Sequence, residues 1–324
     1  MKKNKHLHTH IRSTLLFLIT GFLLVLSSCD FEDSSGPDPD PPEPDPPADT
    51  LGAVPADGIL ETVTWNIEWY GNTGNGPSDE ALQTNNTLTV IDSLKADLYA
   101  FQEIRDQEAL ENLTGRMTGY RGFVAEEQPR SQLTAFVFNA QTIDSVSSGL
   151  ITEGQDSFDW ASGRFPFFFR FNYTFENISI PIYAVVIHAK ASDDRESYQR
   201  RMRAAQSLYT FLTHNQPDAN IIFLGDYNDD VDESIYEDEV TPYQPFVEDE
   251  ENFSVITRSL SEKMQSTTVG FDDAVDHITV SNDMVPFYIP DSEAAFEPTN
   301  NFIENYGTTT SDHYPVITGF DVRQ

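Results

Sequence analysis

One stretch constrains the fold more than any other: the run Ile221-Ile222-Phe223-Leu224, set between Asn220 and Gly225 with no polar interruption. A strand with one wet face alternates apolar and polar residues. This one does not, so it is expected to lie covered on both faces inside a layered α/β architecture. In such sheets the carboxyl ends of strands carry ligands and chemistry. Gly225 ends the run and delivers Asp226 and Asn228, two residues apart on extended chain, which offers one carboxylate and one amide on the same side. A plain strand followed by an acidic turn would fit the same residues, so the rest of the chain has to decide.

The 324 residues carry 39% hydrophobic and 12% aromatic side chains, enough for a large packed core. The net charge is −34, from 19 basic and 53 acidic groups. Such a surface repels polyanions at low salt, which disfavours nucleic acid and anionic membranes as partners without excluding either. Cys29 is the only cysteine, so no disulfide within the chain is available. Lys2, Lys3, Lys5 and Arg12 precede an apolar run from Thr14 to Leu26, and Leu26-Ser27-Ser28-Cys29 follows. That order resembles a bacterial lipoprotein signal, with an ordinary secretory signal or an uncleaved anchor as alternatives. Residues 1–28 are expected to be removed and Cys29 lipidated. Residues 29–56, rich in Pro, Asp and Glu, cannot bury enough apolar surface to fold and are expected to form a tether. Residues 57–324 are expected to form one domain.

Within it, Ile59 to Asn66 and Asp97 to Ile104 read as strands ending on polar residues. Helices are expected over Asp79 to Lys95 with Ser78 as cap, and over Asp106 to Met117. Another is expected over Arg195 to His214, where Tyr198, Met202, Ala205 and Leu212 recur at helical steps. Arg200, Arg201 and Arg203 fall opposite that stripe and read as a solvated face. Further strands are expected at Tyr120 to Ala125, Leu133 to Asn139, Phe165 to Phe175, Ile180 to Ile187, Phe253 to Thr257, His277 to Ser281 and Tyr314 to Val322. The acids from Asp229 to Glu251 read as a solvated loop.

Asn66, Glu103, His188, Asp226 with Asn228, and Asp312 with His313 each follow or border one of these runs. Oxygen donors dominate the set, which suits a hard cation such as Mg²⁺, with Mn²⁺ or Ca²⁺ as variants, and points to phosphate chemistry more than to a nitrogen-rich zinc site. The ordered segments WNIEW, FQE, RFP, IHAK, GDYND, VDHITVS and SDHYPV resemble the endonuclease/exonuclease/phosphatase superfamily of DNase I-like metal-dependent phosphoesterases. The resemblance spans about Thr62 to Phe320. It implies an α/β four-layer sandwich, two mixed β-sheets face to face with helices outside, and an active site at one end of the sheets.

Carried over residue by residue, the resemblance implies that Asn66, Glu103 and Asp312 hold the metal. It implies that Asp226 orients or deprotonates the attacking water and that Asn228 and His188 hold the phosphate. His313 would stabilise charge or act as base, oriented by Asp276, and Arg164 of RFP would contact phosphate. Lys190, two residues after His188, is a further phosphate candidate. Glu68 either points into the site or faces solvent. His277 and His214 read as structural, and Val231 where a calcium loop needs glycine argues against an EF-hand. The expected activity is hydrolysis of DNA or RNA outside the cytoplasm by a lipid-anchored monomer. A phosphatase or phospholipase-like esterase on sugar, inositol or lipid phosphates, and a non-catalytic surface binding protein, are the alternatives.

Overall fold

The computed structural model describes residues 50–129, 132–298 and 302–324, which fall in a single compact unit. The signal, Cys29 and the tether up to residue 49 lie outside the described residues. Among those described, no helix is long and apolar enough to cross a membrane. The docked chain begins ahead of the expected start at Asp57: Leu51 donates to the Arg116 carbonyl and its own carbonyl accepts from Thr118.

The first half of the chain runs β1 (Ile59–Tyr70), α1 (Glu80–Leu94), β2 (Leu98–Ile104), α2 (Gln107–Thr114), β3 (Tyr120–Val124) and β4 (Leu133–Asn139). The central part adds β5 (Ile143–Leu150), β6 (Phe167–Phe175), β7 (Ile178–His188), α3 (Arg195–Asn215) and β8 (Ile221–Asp226). Short elements follow: α4 (Gln244–Glu248), β9 (Phe253–Val255), α5 (Arg258–Glu262), β10 (Asp276–Ser281), β11 (Ala294–Ala295), α6 (Tyr306–Thr309) and β12 (Val316–Asp321). The expected strands are present, and β5 and β11 are additional. The α1 cap is Asp79 rather than Ser78, because the Asp79 carboxylate accepts the Leu82 N–H.

Among the described residues, twelve strands form two six-stranded mixed sheets, ordered β11-β12-β1-β2-β4-β3 and β5-β6-β7-β8-β10-β9. Their inner faces meet over a core that alternation of the strands makes apolar. Leu98, Ala100, Phe136 and Phe138 come from the first sheet, facing Phe169, Ala184, Ile222 and Leu224 from the second. The intervening residues point outward: Tyr99, Phe101 and Val137 pack under α1 and α2, while Tyr183, Val185 and Phe223 pack under α3. The result is the expected four-layer sandwich. Both faces of β8 are indeed covered, and all six of its residues are buried.

Strand direction fixes where the chemistry falls. β7 and β8 are parallel, and His188 pairs with Asp226; β10 runs antiparallel to β8, and its first residue, Asp276, pairs with the same Asp226. β1 and β2 are parallel, with Asn66 opposite Gln102, and β12 begins at the same end of the first sheet. All the expected polar strand ends therefore gather at one end of the sandwich.

The opposite end holds a different acidic pair. The buried Asp97 carboxylate accepts from Thr142 Oγ1 at 2.6 Å and from Asn139 Nδ2 at 3.2 Å. Burial, then the neighbouring Asp97 and Asp57 carboxylates, push the Glu61 carboxyl up to about 8. The folded state therefore holds a proton that the unfolded chain releases near its ordinary value, so this contribution is complete at acid pH and lost as pH rises through about 8. Wild-type melting temperature is expected to fall between about pH 5 and 8 and to level off above that, and Glu61→Gln is expected to flatten that fall. Parallel curves for the two proteins would contradict the assignment.

Candidate active site

Asp226 sits at the seam between the sheets. Its Oδ1 accepts the Asn228 N–H at 2.9 Å, and its Oδ2 accepts Asn66 Nδ2 at 3.1 Å across the seam. His188 Nε2 stands 3.5 Å and His313 Nε2 3.9 Å from the same Oδ2. The close approach of β7 and β8 here requires Gly225, at φ +147°: a Cβ would lie 2.2 Å from the Ile187 carbonyl oxygen. Asn228 takes a left-handed conformation, φ +52°, which brings it back to the cleft after Tyr227 has buried its ring under α3.

The two histidines differ in charge because their surroundings differ. His313 donates Nδ1–H to Asp276 Oδ2 at 2.8 Å. Burial opposes its charged form, but the Asp276 and Asp226 carboxylates outweigh burial and raise its pKa well above the ordinary value. His188 is pushed well below its ordinary value by burial, then by Arg164 and His313. Its contacts with Asp226 and with Glu103, the latter at 3.7 Å, are therefore those of a neutral imidazole. Burial pushes the Asp226 carboxyl up to about 7, opposed by His313 and reinforced by Asp276. A carboxyl that titrates near neutrality beside a charged imidazole suits proton transfer.

Glu103 reaches the site through a break in β2. Gln102 occupies the inward position and spends its amide on Thr64 Oγ1 and the Ala100 carbonyl, while Glu103 has φ +66° at a register shift between Phe101 and Ile104. That kink turns its carboxylate toward Asn66 Nδ2 at 3.3 Å and the Trp69 N–H at 3.0 Å. Asn66 uses its Oδ1 to accept the Glu68 N–H at 3.0 Å, so its amide bridges Glu103 and Asp226. Glu68 is half-buried and faces inward, and burial, then Asp312 and Glu103, push its carboxyl up to about 7. Its Oε2 is buried without a hydrogen-bond partner among the described residues.

These features fit a hard cation: three mutually repelling carboxylates with one orphaned oxygen are relieved by positive charge and offer oxygen ligands. Glu103, Asp312 and Glu68 would hold it, with Asn66 beside them. Donor atoms of Asp226, Asp276 and His313 also lie within 4.8 Å of one another. There the Nδ1–H of His313 is already committed to Asp276, so the grouping is better described as a hydrogen-bonded dyad with a neighbouring carboxylate.

All nine expected site residues except Asp276 line one cleft of about 450 Å³, and Asp276 lies behind His313. Arg164 is buried there, donating to Gln132 Oε1 at 2.7 Å and to the Ala189 carbonyl at 2.9 Å. Gln132, Lys190 and Arg200 line the cleft as well.

Of the α3 arginines expected on a solvated face, Arg203 is exposed, paired with Asp159 at 2.6 Å, but Arg200 and Arg201 are not. Arg201 is fully buried, pairing with Asp229 at 2.7 Å and donating to the Lys190 and Ser192 carbonyls, and Arg200 is also buried. Arg201 precedes Ala205, Leu208 and Leu212 by four, seven and eleven residues, which places it on the apolar stripe. That spacing could have revealed it. Asp229 and Asp230 likewise leave the expected solvated loop: both are buried, Asp229 accepting from Arg201, Ser234 and the Ile235 N–H. His277 packs on the outer face, its Nε2 against the Ala274 carbonyl.

A two-sheet sandwich whose seam opens on a cation-compatible acidic cluster, an aspartate–histidine dyad and a neutral histidine defines a phosphoester hydrolase of the DNase I-like class. Residues 63–313 match the Endonuclease/Exonuclease/phosphatase family, and the chain belongs to it. No curated protein sequence matches the chain. Solved structures share the fold at low identity. A humanized D. rerio TDP2 carrying 14 mutations superposes with a TM-score of 0.59 at 15% identity, over 82% of this chain and 99% of that one. D. rerio TDP2 complexed with a single-strand DNA product gives 0.55 at 15%, over 82% and 99%. A mannosyl-6-phosphatase from Bacteroides thetaiotaomicron gives 0.52 at 13%, over 80% and 98%.

Two outcomes follow for the supports of the site. Asp229→Ala would strand the Arg201 charge and is expected to destabilise the fold by about 3–5 kcal/mol in urea unfolding; a loss under 1 kcal/mol would contradict the buried pair. Asp276→Asn is expected to lower kcat by about 10²-fold or more with little change in KM, because the His313 ring loses the partner that fixes its tautomer and charge. A KM effect without a kcat effect would contradict that role.

Proposed function

We propose that this chain is a metal-dependent phosphodiesterase, a nuclease acting on DNA or RNA outside the cytoplasm. The observation that carries the proposal is the grouping of Asp226, His188, Asn66 and the Asp276–His313 dyad around one point at the open seam. The scissile phosphate is expected in the cleft, held by neutral His188 Nε2–H, the Asn228 amide and Arg164. Asp226, poised near neutrality, takes the proton of the attacking water, and protonated His313 faces the charge that develops on the phosphoryl group. A bound Mg²⁺, or Mn²⁺ or Ca²⁺ in its place, would supply Lewis-acid stabilisation of the phosphate oxygens beside Glu103, Asp312 and Glu68.

A phosphatase acting on sugar phosphates is the second reading. The net charge of −34, which slows the approach of long polyanions, favours it. Export and anchoring through Cys29 are part of the proposal, supported by the Leu26-Ser27-Ser28-Cys29 sequence after the apolar run.

The test is hydrolysis of plasmid DNA, RNA, bis(p-nitrophenyl) phosphate and sugar phosphates with Mg²⁺, with EDTA and as His188→Ala. Nucleic acid and the diester are expected to be cut only with metal, and His188→Ala is expected to lose about 10²-fold or more. Turnover of phosphomonoesters with intact nucleic acid would sink the nuclease reading in favour of the phosphatase. Metal-independent or absent turnover would sink both.

A further inference from the structure

Electroneutrality is scarce in this chain, yet three cations line the cleft without a carboxylate to pair them. Arg201, Arg203, Arg258, Lys263 and Arg323 each hold an acidic partner. Arg164, Lys190 and Arg200 hold none among the described residues; Lys95, Arg116, Arg121, Arg170 and Arg195 hold none either, but they lie outside the cleft. They enter from the loop before β6, the loop after β7 and the second turn of α3. The metal-side acids enter from β1, β2 and the loop before β12. The cleft is thus divided, acidic toward the first sheet and basic toward the β6–β7 flank of the second.

Arg200 is the least explained of the three. Its guanidinium lies over the Phe158 ring, 4.1 Å from the centroid, and donates Nη2–H to the Phe158 carbonyl. This fixes the plane of the group, but its Nε is buried without a partner among the described residues, and the residue is only 7% exposed. A desolvated, unpaired guanidinium is costly unless an anion completes it. Lys190 spends one of its three donors on the Ala191 carbonyl; burial, then Arg200, lower its pKa, outweighing the pull of Asp194, which shows that the two cations repel. Beside them the backbone turns through three successive left-handed residues, Ala161 at φ +48°, Ser162 at +70° and Gly163 at +115°, and Ala161 and Ser162 line the same cleft. Strain of this kind is retained where the surroundings over-determine it.

Arg164 contacts the Ala189 carbonyl next to His188, which ties it to the scissile phosphate. Arg200 is anchored on Phe158 instead. We propose that Arg200 and Lys190, with the Ser162 turn beside them, form a second phosphate subsite, so that the substrate carries a further phosphate group next to the one hydrolysed. The proposal rests on the phosphoesterase reading for the first phosphate. A neighbouring phosphate of a nucleotide chain and the second phosphate of a small bisphosphate share this chemistry.

Binding to the full chain distinguishes the two sources, measured by calorimetry in EDTA so that turnover does not intervene. A nucleoside 3′,5′-bisphosphate is compared with the 5′-monophosphate, and a hexose 1,6-bisphosphate with the 6-monophosphate. In one of the pairs the bisphosphate is expected to bind at least about tenfold tighter, roughly the worth of one charge-assisted contact. Arg200→Met, which removes the charge but keeps an unbranched side chain, is expected to bring that pair to within about twofold. Arg200→Lys is expected to retain part of the step, since it keeps the charge without the planar fork. Equal binding of both members of each pair by the wild type would overturn the proposal. So would an Arg200→Met variant that weakens both members alike. A bisphosphate step that persists in a protein turning over no phosphoester would leave the subsite standing and remove the catalytic reading.

Discussion

Asp226 is a carboxyl almost wholly removed from solvent, and the arrangement of the site follows from that. Held between two sheets, it is kept from a prohibitive desolvation cost by the Asn66 amide, the Asn228 N–H and two imidazoles. Each comes from a different segment, β1, the turn after β8, β7 and the loop before β12, so the carboxyl is satisfied only when both sheets are assembled. Burial also pushes its proton affinity toward neutrality, so the cost of the site and its chemical competence share one cause.

The supports around it follow the same logic of buried charge answered by buried charge. Asp276 holds His313 in its protonated form, and Arg201 with Asp229 ties α3 to both loops that border the cleft. The cleft itself is asymmetric, with unrelieved negative charge at Glu68, Glu103 and Asp312 and unpaired positive charge at Arg164, Lys190 and Arg200. A metal ion bound with a phosphorylated ligand would answer both halves at once. The family assignment supplies the phosphoester chemistry, and the division of the cleft suggests how this member orients its substrate.

Much of the fold was legible because burial on both faces leaves a plain mark on sequence. β2, β4 and β8 are dominated by apolar residues on both faces, with their polar residues mostly toward the strand ends, and the structure buries every residue in them. β5 was not legible: five consecutive exposed residues on an edge strand, rich in serine, carry no alternation to detect. The strand ends bearing Asn66, His188 and Asp226 could be read as polar residues after apolar runs. Their convergence came only through the family resemblance and not from the residue pattern, because it depends on which strands run parallel and on the Glu103 kink at φ +66°. Charge was the other blind spot. Composition treats arginines on a helix as solvated; the helical spacing marks Arg201 as buried, while for Arg200 only its partner, the Phe158 ring, reveals it.

The central claim is that Asp226 is a reactive group held at the expense of stability, and Asp226→Asn tests it most directly when kcat and thermal stability are measured together. With bis(p-nitrophenyl) phosphate and Mg²⁺, kcat is expected to fall by ~10³-fold, within the range for loss of a general base. The melting temperature is expected to hold or rise, since an amide in that pocket no longer faces the Asp276 charge. A variant that keeps a tenth of the wild-type kcat, or one that unfolds while losing activity, would contradict it.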